Sequence, residues 1–127
     1  MTIPSLFTHG RPLALMLLMA VTLGGLASPA AAQQDTVEVR VTAQSGFQFE
    51  PSQIEVPVGT EVKLTLENAA VMGHDLSIPA LDVATSIITG EETSMVSFTV
   101  GEAGVYSFRC EVPGHAEAGM IGKVKAR

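Results

Sequence analysis

The chain has 127 residues, 46% of them hydrophobic, and sets 13 acidic residues against 7 basic ones for a formal net charge of −6. That acidic balance argues against nucleic acid and anionic membrane surfaces as partners. The length allows one small domain and leaves little room for two.

Residues 1–32 read as a secretory signal peptide. Arg11 is followed by an apolar run from Leu13 to Leu26, then by the small-residue tail "ASPAAA". Ala30-Ala31-Ala32 fits the small-x-small cleavage rule. The run is shorter than the roughly 18–20 residues of a spanning helix, so stable membrane insertion is not expected; an uncleaved N-terminal anchor is the competing reading. No cysteine lies near the cleavage point to carry a lipid. Cleavage after Ala32 leaves residues 33–127 as a single domain, with a net charge of −7 because Arg11 is the only charged residue removed. The expected location is the periplasm.

The rest alternates as short strands do. "TVEVRVTA" (36–43) sets Val37, Val39 and Val41 against polar neighbours. "QIEVPVG" (53–59) is a second strand, which Pro57 confines to an edge or a strand end. "TEVKLTLEN" (60–68) alternates through Val62, Leu64 and Leu66. "HDLSIP" starts a short strand at His74. Residues 80–87 suit one helical turn or an irregular crossover. "SMVSFTV" (94–100), "GVYSFRC" (104–110) and "MIGKVKAR" (120–127) complete the set. Many short strands between turn residues point to an all-β sandwich or barrel. Phe47, Phe49, Phe98 and Phe108 are expected in its core.

Cys110 is the only cysteine, and export would place it where cysteines pair. An unpaired cysteine in an exported chain suggests an intermolecular disulfide, a reactive thiol or a metal ligand. After cleavage the only histidines are His74 and His115, and Met120 closes the run "RCEVPGHAEAGM". Zinc sites usually draw on more than one cysteine, and calcium and magnesium want oxygen. Two imidazoles, one thiolate and a weak thioether form the donor set of blue-copper centres. Cys110, His115 and Met120 can be presented by one inter-strand loop containing Pro113-Gly114 and Gly119. His74 must come from another strand at the same end.

"YSFRCEVPGHAEAGMIGKVKA", with "NAAVMGHDLSIP" upstream, resembles the plastocyanin/azurin family of cupredoxins over nearly the whole of residues 33–127. The resemblance implies a Greek-key β-sandwich holding one type 1 copper that cycles between Cu(I) and Cu(II). It makes His74, Cys110 and His115 the equatorial ligands and Met120 the axial one. It also offers the Gly73 carbonyl as a weak fifth contact. Two features depart from the pattern. Four residues separate Cys110 from His115, and four separate His115 from Met120, closer to azurin, rusticyanin or sulfocyanin types than to plastocyanin. Asp75 stands where Asn or Ser is common. In the family that position ties the His strand to the cysteine loop, and a carboxylate there would favour Cu(II).

The implied function is one-electron transfer, with His115 as the route for electrons. Its small or apolar neighbours, with Met72, would form a docking patch, and Glu111 and Glu117 would steer a basic, transient redox partner. The protein is expected to be a monomer and not an enzyme. Two histidines cannot build a second, catalytic copper site, and one cysteine cannot build a dinuclear centre. The alternative is a periplasmic copper-binding or delivery protein without redox turnover. A metal-free binding module of the same shape is disfavoured by the complete donor set.

Overall fold

The computed structural model describes residues 35–127. The expected signal peptide, residues 1–32, lies outside the described residues.

Among the described residues, nine strands form two sheets. The first, in the order β2-β1-β4-β7, contains β1 (Thr36–Gln44), β2 (Gln48–Glu50), β4 (Glu61–Asn68) and β7 (Thr93–Thr99). The second, in the order β3-β9-β8-β5-β6, contains β3 (Gln53–Val56), β5 (Ser77–Ile78), β6 (Val83–Ala84), β8 (Gly104–Arg109) and β9 (Ile121–Ala126). β1 runs parallel to β4 from Thr36↔Glu61 to Ala43↔Asn68, and β3 runs parallel to β9. β4–β7 and β8–β9 are antiparallel. The expected all-β sandwich is present.

The alternation in the sequence is what builds it. Along β4 every second residue, Val62, Leu64, Leu66 and Asn68, is buried. Along β9 the buried set is Gly122, Val124 and Ala126. Val41, Val62, Leu64 and Leu66 from one sheet join Ile54, Ile78, Phe108 and Val124 from the other in a single core. Phe49 meets Phe108 edge-on, with ring centroids 5.3 Å apart. Gly122 makes room for that ring: a Cβ there would lie 2.1 Å from Phe108 Cζ and 2.6 Å from the Ser52 carbonyl oxygen.

Several expectations need adjusting. β2 and β6, of three and two residues, were too short to register as alternation. "HDLSIP" shrinks to Ser77–Ile78, and His74 sits in an isolated bridge with Ile88 rather than at a strand start. Residues 80–87 resolve into the end of a 3-10 turn (Pro79–Leu81), the strand β6 and irregular chain. Phe49, Phe98 and Phe108 are buried as expected, whereas Phe47 is only half-buried. Pro57 lies just past the end of β3, an edge strand. No helix among the described residues is long and apolar enough to cross a membrane.

Candidate metal centre

Three segments converge at one end of the sandwich: the β1–β2 turn, residues 69–76 after β4, and the β8–β9 loop. His74 belongs to the second. Its backbone N–H donates to the Ile88 carbonyl at 2.9 Å, and Ile88 N–H donates back to the His74 carbonyl at 2.9 Å. The approach to it is organised by Asn68, the last residue of β4, which is buried. Asn68 Nδ2 donates to the carbonyls of Met72 (2.7 Å) and Ile88 (2.8 Å), and its Oδ1 accepts from Ala70 N–H (2.8 Å). One amide thereby fixes both sides of the His74 segment. Gly73 lets that segment lie close, since a Cβ there would come within 3.1 Å of Ile87 Cγ2. Reading the sequence did not single out Asn68; the signal available was a strand-ending Asn before the small-residue run "AAVMG".

The β8–β9 loop is built from turn chemistry. Cys110 and Met120 flank it, and Cys110 N–H donates to the Met120 carbonyl at 3.1 Å. His115 N–H returns to the Val112 carbonyl at 3.1 Å, with Pro113 and Gly114 (φ +86°) between them. Proline followed by a residue at positive φ is the signature of a type II turn. Residues 115–118 then make one helical turn. It ends with Met120 N–H on the His115 carbonyl (3.0 Å) and Gly119 N–H on the Ala116 carbonyl (3.0 Å), with Gly119 at φ +110°. That hydrogen-bond pair around a glycine is a Schellman cap. The two four-residue steps flagged in the sequence thus hold one β-turn and one capped helical turn.

The donors meet. His74 Nδ1 lies 3.2 Å from His115 Nδ1, and Cys110 Sγ lies 3.5 Å from His115 Nδ1. All three donor atoms are within 4.8 Å of one another. Nitrogen and sulfur donors spaced evenly around one transition-metal ion, at the usual bond lengths, would be about 3.5–3.8 Å apart. The two spacings to His115 are a few tenths shorter than this and the third is within 4.8 Å, so small side-chain adjustments let the residues fit such an ion. Met120 is fully buried and is joined by backbone bonds to both Cys110 and His115. His74, Cys110 and Met120 are at most 1% exposed, and His115, at 9%, is the most accessible of the four.

Electrostatics favour the protonation states a metal needs at the imidazole and resist them at the thiol. Burial lowers the pKa of His74, the neighbouring His115 lowers it further, and Asp75 partly offsets both. Neutral imidazole is the ligating form. Burial pushes the Cys110 thiol up, while the backbone N–H groups of Asp75 and Val112 pull it down and the Asp75 carboxyl adds to the rise. A cation at the donor set would favour the thiolate. His74 Nε2 is buried without a hydrogen-bond partner among the described residues. That ring is therefore held by its backbone bridge and its packing, not by a bond on its far nitrogen.

Asp75 is buried, and its Oδ1 accepts from Glu111 N–H at 2.7 Å. The carboxylate ties the His74 segment to the residue after Cys110, the connection expected at this position. Phe47, expected in the core, instead sets its ring edge-on against His115, with centroids 4.8 Å apart and planes at 62°.

Comparison with known proteins bears on the fold and the family. The model of the cupredoxin-like domain family matches residues 14–121. A copper-resistant cuproprotein, CopI of Rubrivivax gelatinosus, is 29% identical over 108 residues, covering 70% of this chain. The match spans 66% of that relative's own length, just under two thirds. Among solved structures, auracyanin from Roseiflexus castenholzii superposes with a TM-score of 0.65 at 17% identity, over 72% of this chain and 97% of the other. Auracyanin A from Chloroflexus aurantiacus, described as a "blue" copper protein, gives 0.64 at 20% identity, over 73% of this chain and all of the other. At these identities the superpositions speak for the fold. With the family model spanning most of its length, the chain belongs to the cupredoxin-like domain family.

Proposed function

We infer that this protein holds one type 1 copper ion through His74, Cys110 and His115, with Met120 as the weak fourth donor, and serves as an exported one-electron carrier. The observation that carries this reading is the convergence of two imidazole nitrogens and one thiol sulfur within 4.8 Å, with a buried Met120 joined by backbone bonds to Cys110 and His115. When bound, copper would supply a one-electron couple, with soft sulfur donors suiting Cu(I) and imidazoles suiting both states.

The chain's own residues do the rest. The sandwich fixes Cys110 and Met120 at facing strand ends, so the donors have little room to rearrange between oxidation states. His115 is the least buried of the four, at 9%, and is the proposed path for an electron. Around it Pro113, Gly114, Ala116 and Ala118 are small or apolar, and on the His74 side Val71 (92%) and Met72 (47%) are exposed. Such a surface suits a brief encounter with a redox partner. Glu117 beside it would steer a basic partner; Glu111 contributes less because it pairs with Arg109 at 2.9 Å. The location proposed is the periplasm, with residues 1–32 as the export signal.

The test is direct. Protein given Cu(II) should develop an intense visible thiolate-to-copper charge-transfer band and a reversible one-electron wave. Folded protein without the band would overturn the type 1 assignment. A second reading, copper handling without redox turnover, is favoured by the description of the Rubrivivax gelatinosus relative as copper-resistant. It predicts ready transfer of copper to an acceptor protein, where a carrier would retain it through repeated redox cycles.

A further inference from the structure

Phe47 stands in a backbone conformation that bulky side chains avoid. It ends the turn between Gln44 and Gln48 with φ +58°, directly after Gly46 at φ +101°. Hairpin positions of this kind normally take Gly or Asn. A strained residue persists where its surroundings hold it, and such residues gather at functional sites. Here the surroundings are the edge of the core and the ring of His115, which Phe47 meets edge-on at 4.8 Å.

His115 is the donor that needs holding. His74 is locked by a two-bond bridge to Ile88, and Cys110 sits at the end of β8. His115 stands between a β-turn and a helical turn with no strand behind it. It is also the least buried of the four, at 9%. Phe47 comes from a different part of the chain and braces that ring.

We propose that Phe47 is a positioning residue that pins the His115 imidazole against Cys110 and His74 and so sets how fast a metal ion enters and leaves the centre. The kinetic part rests on the metal-binding reading above; the pinning of the ring does not. The proposal also connects the two functional readings, since an electron carrier gains from slow exchange and a delivery protein from fast exchange.

The test compares wild type with Phe47→Gly, which removes the ring and relieves the backbone, and Phe47→Tyr, which keeps the ring edge. Phe47→Asn, also tolerant of this φ, repeats the measurement should the glycine variant fold poorly. Cu(II)-loaded proteins are challenged with excess EDTA and the loss of the visible band is timed. Metal-free proteins are compared by NMR of the His115 ring. Phe47→Gly is expected to release copper about 3- to 10-fold faster, the range an edge-on ring pair can supply. Phe47→Tyr should release at the wild-type rate, and the His115 signals of metal-free Phe47→Gly should broaden or split. A release rate within twofold of wild type in Phe47→Gly, or equal acceleration in Phe47→Tyr, would overturn the proposal. Were wild type to bind no Cu(II), the functional reading would fall, and the NMR comparison on metal-free protein would still decide the pinning: unchanged His115 signals would sink it.

Discussion

His74 and His115 face each other across 3.2 Å, yet they reach that point by different means. His74 is carried by the body of the fold. Its backbone is bridged to Ile88 in both directions, and the buried amide of Asn68 ties the flanking carbonyls together. His115 is carried by turns, with one glycine at φ +86° before it and another at φ +110° after it. The first arrangement depends on long-range packing and is expensive to disturb. The second depends on local backbone chemistry and can be altered one residue at a time. A centre built this way has one anchored side and one adjustable side.

The largest expected effect breaks the anchored side. Asn68→Ala takes their side-chain partner from the Met72 carbonyl and from Ala70 N–H, while the Ile88 carbonyl keeps its bond from His74 N–H. At about 1–3 kcal/mol for each of the two groups left unpaired, the loss should be about 2 kcal/mol or more. Urea unfolding of the metal-free protein would measure it, and a loss below about 1 kcal/mol would contradict the anchoring role.

Asp75→Asn tests the tie between the two sides. Asn keeps an oxygen to accept from Glu111 N–H and removes the carboxylate. The copper midpoint potential should rise by about 40–90 mV, from about 1–2 kcal/mol of charge interaction, with little change in stability. An unchanged or lower potential would remove Asp75 from the account.

Gly119→Ala probes the adjustable side. Forcing an L side chain to φ +110° costs about 1–2 kcal/mol. The strain should stay in the loop. Hydrogen exchange should quicken at Gly119 and Met120 N–H, the two cap donors, and stay at wild-type rates along β4. Faster exchange throughout β4 would show that the two sides are not separable.

The gentlest effect is a slope with pH in the metal-free protein. His74 folds with its pKa below the ordinary 6.5, so the unfolded chain takes up the proton first. The stability tied to neutral His74 is full above 6.5 and lost as pH falls below it. Cys110 folds with its thiol above the ordinary 9.0, so the unfolded chain ionises first and stability declines as pH climbs past 9. Urea midpoints across this range should form a plateau with two shoulders. Equal midpoints at pH 5 and pH 7 would contradict the His74 assignment.

How much of this could be read beforehand followed from physical range. The long strands were legible because half-burial writes a two-residue period, as in "EVKLTLEN". β2 and β6 were not, since two or three residues hold no period. The candidate donors that the fold brings within 4.8 Å were legible by inventory: two histidines and one cysteine beyond residue 33. Asp75 was flagged as the tie, and it makes that bond. Phe47 and Asn68 were missed as site residues because their roles exist only once distant segments meet. Phe47 is 68 positions from His115, and nothing local marks it except the glycine before it.

The bond from Cys110 N–H to the Met120 carbonyl has a further consequence. It closes the β8–β9 ladder just beyond its last strand pair, Arg109↔Ile121, so residues 111–119 hang from a finished clasp. The register beneath is set before the loop begins, and the loop's own ties to the sandwich are Glu111 N–H on Asp75 and His115 against Phe47. In that sense the segment is a cartridge seated on the sandwich. The two long steps in this chain read as one edition of that cartridge.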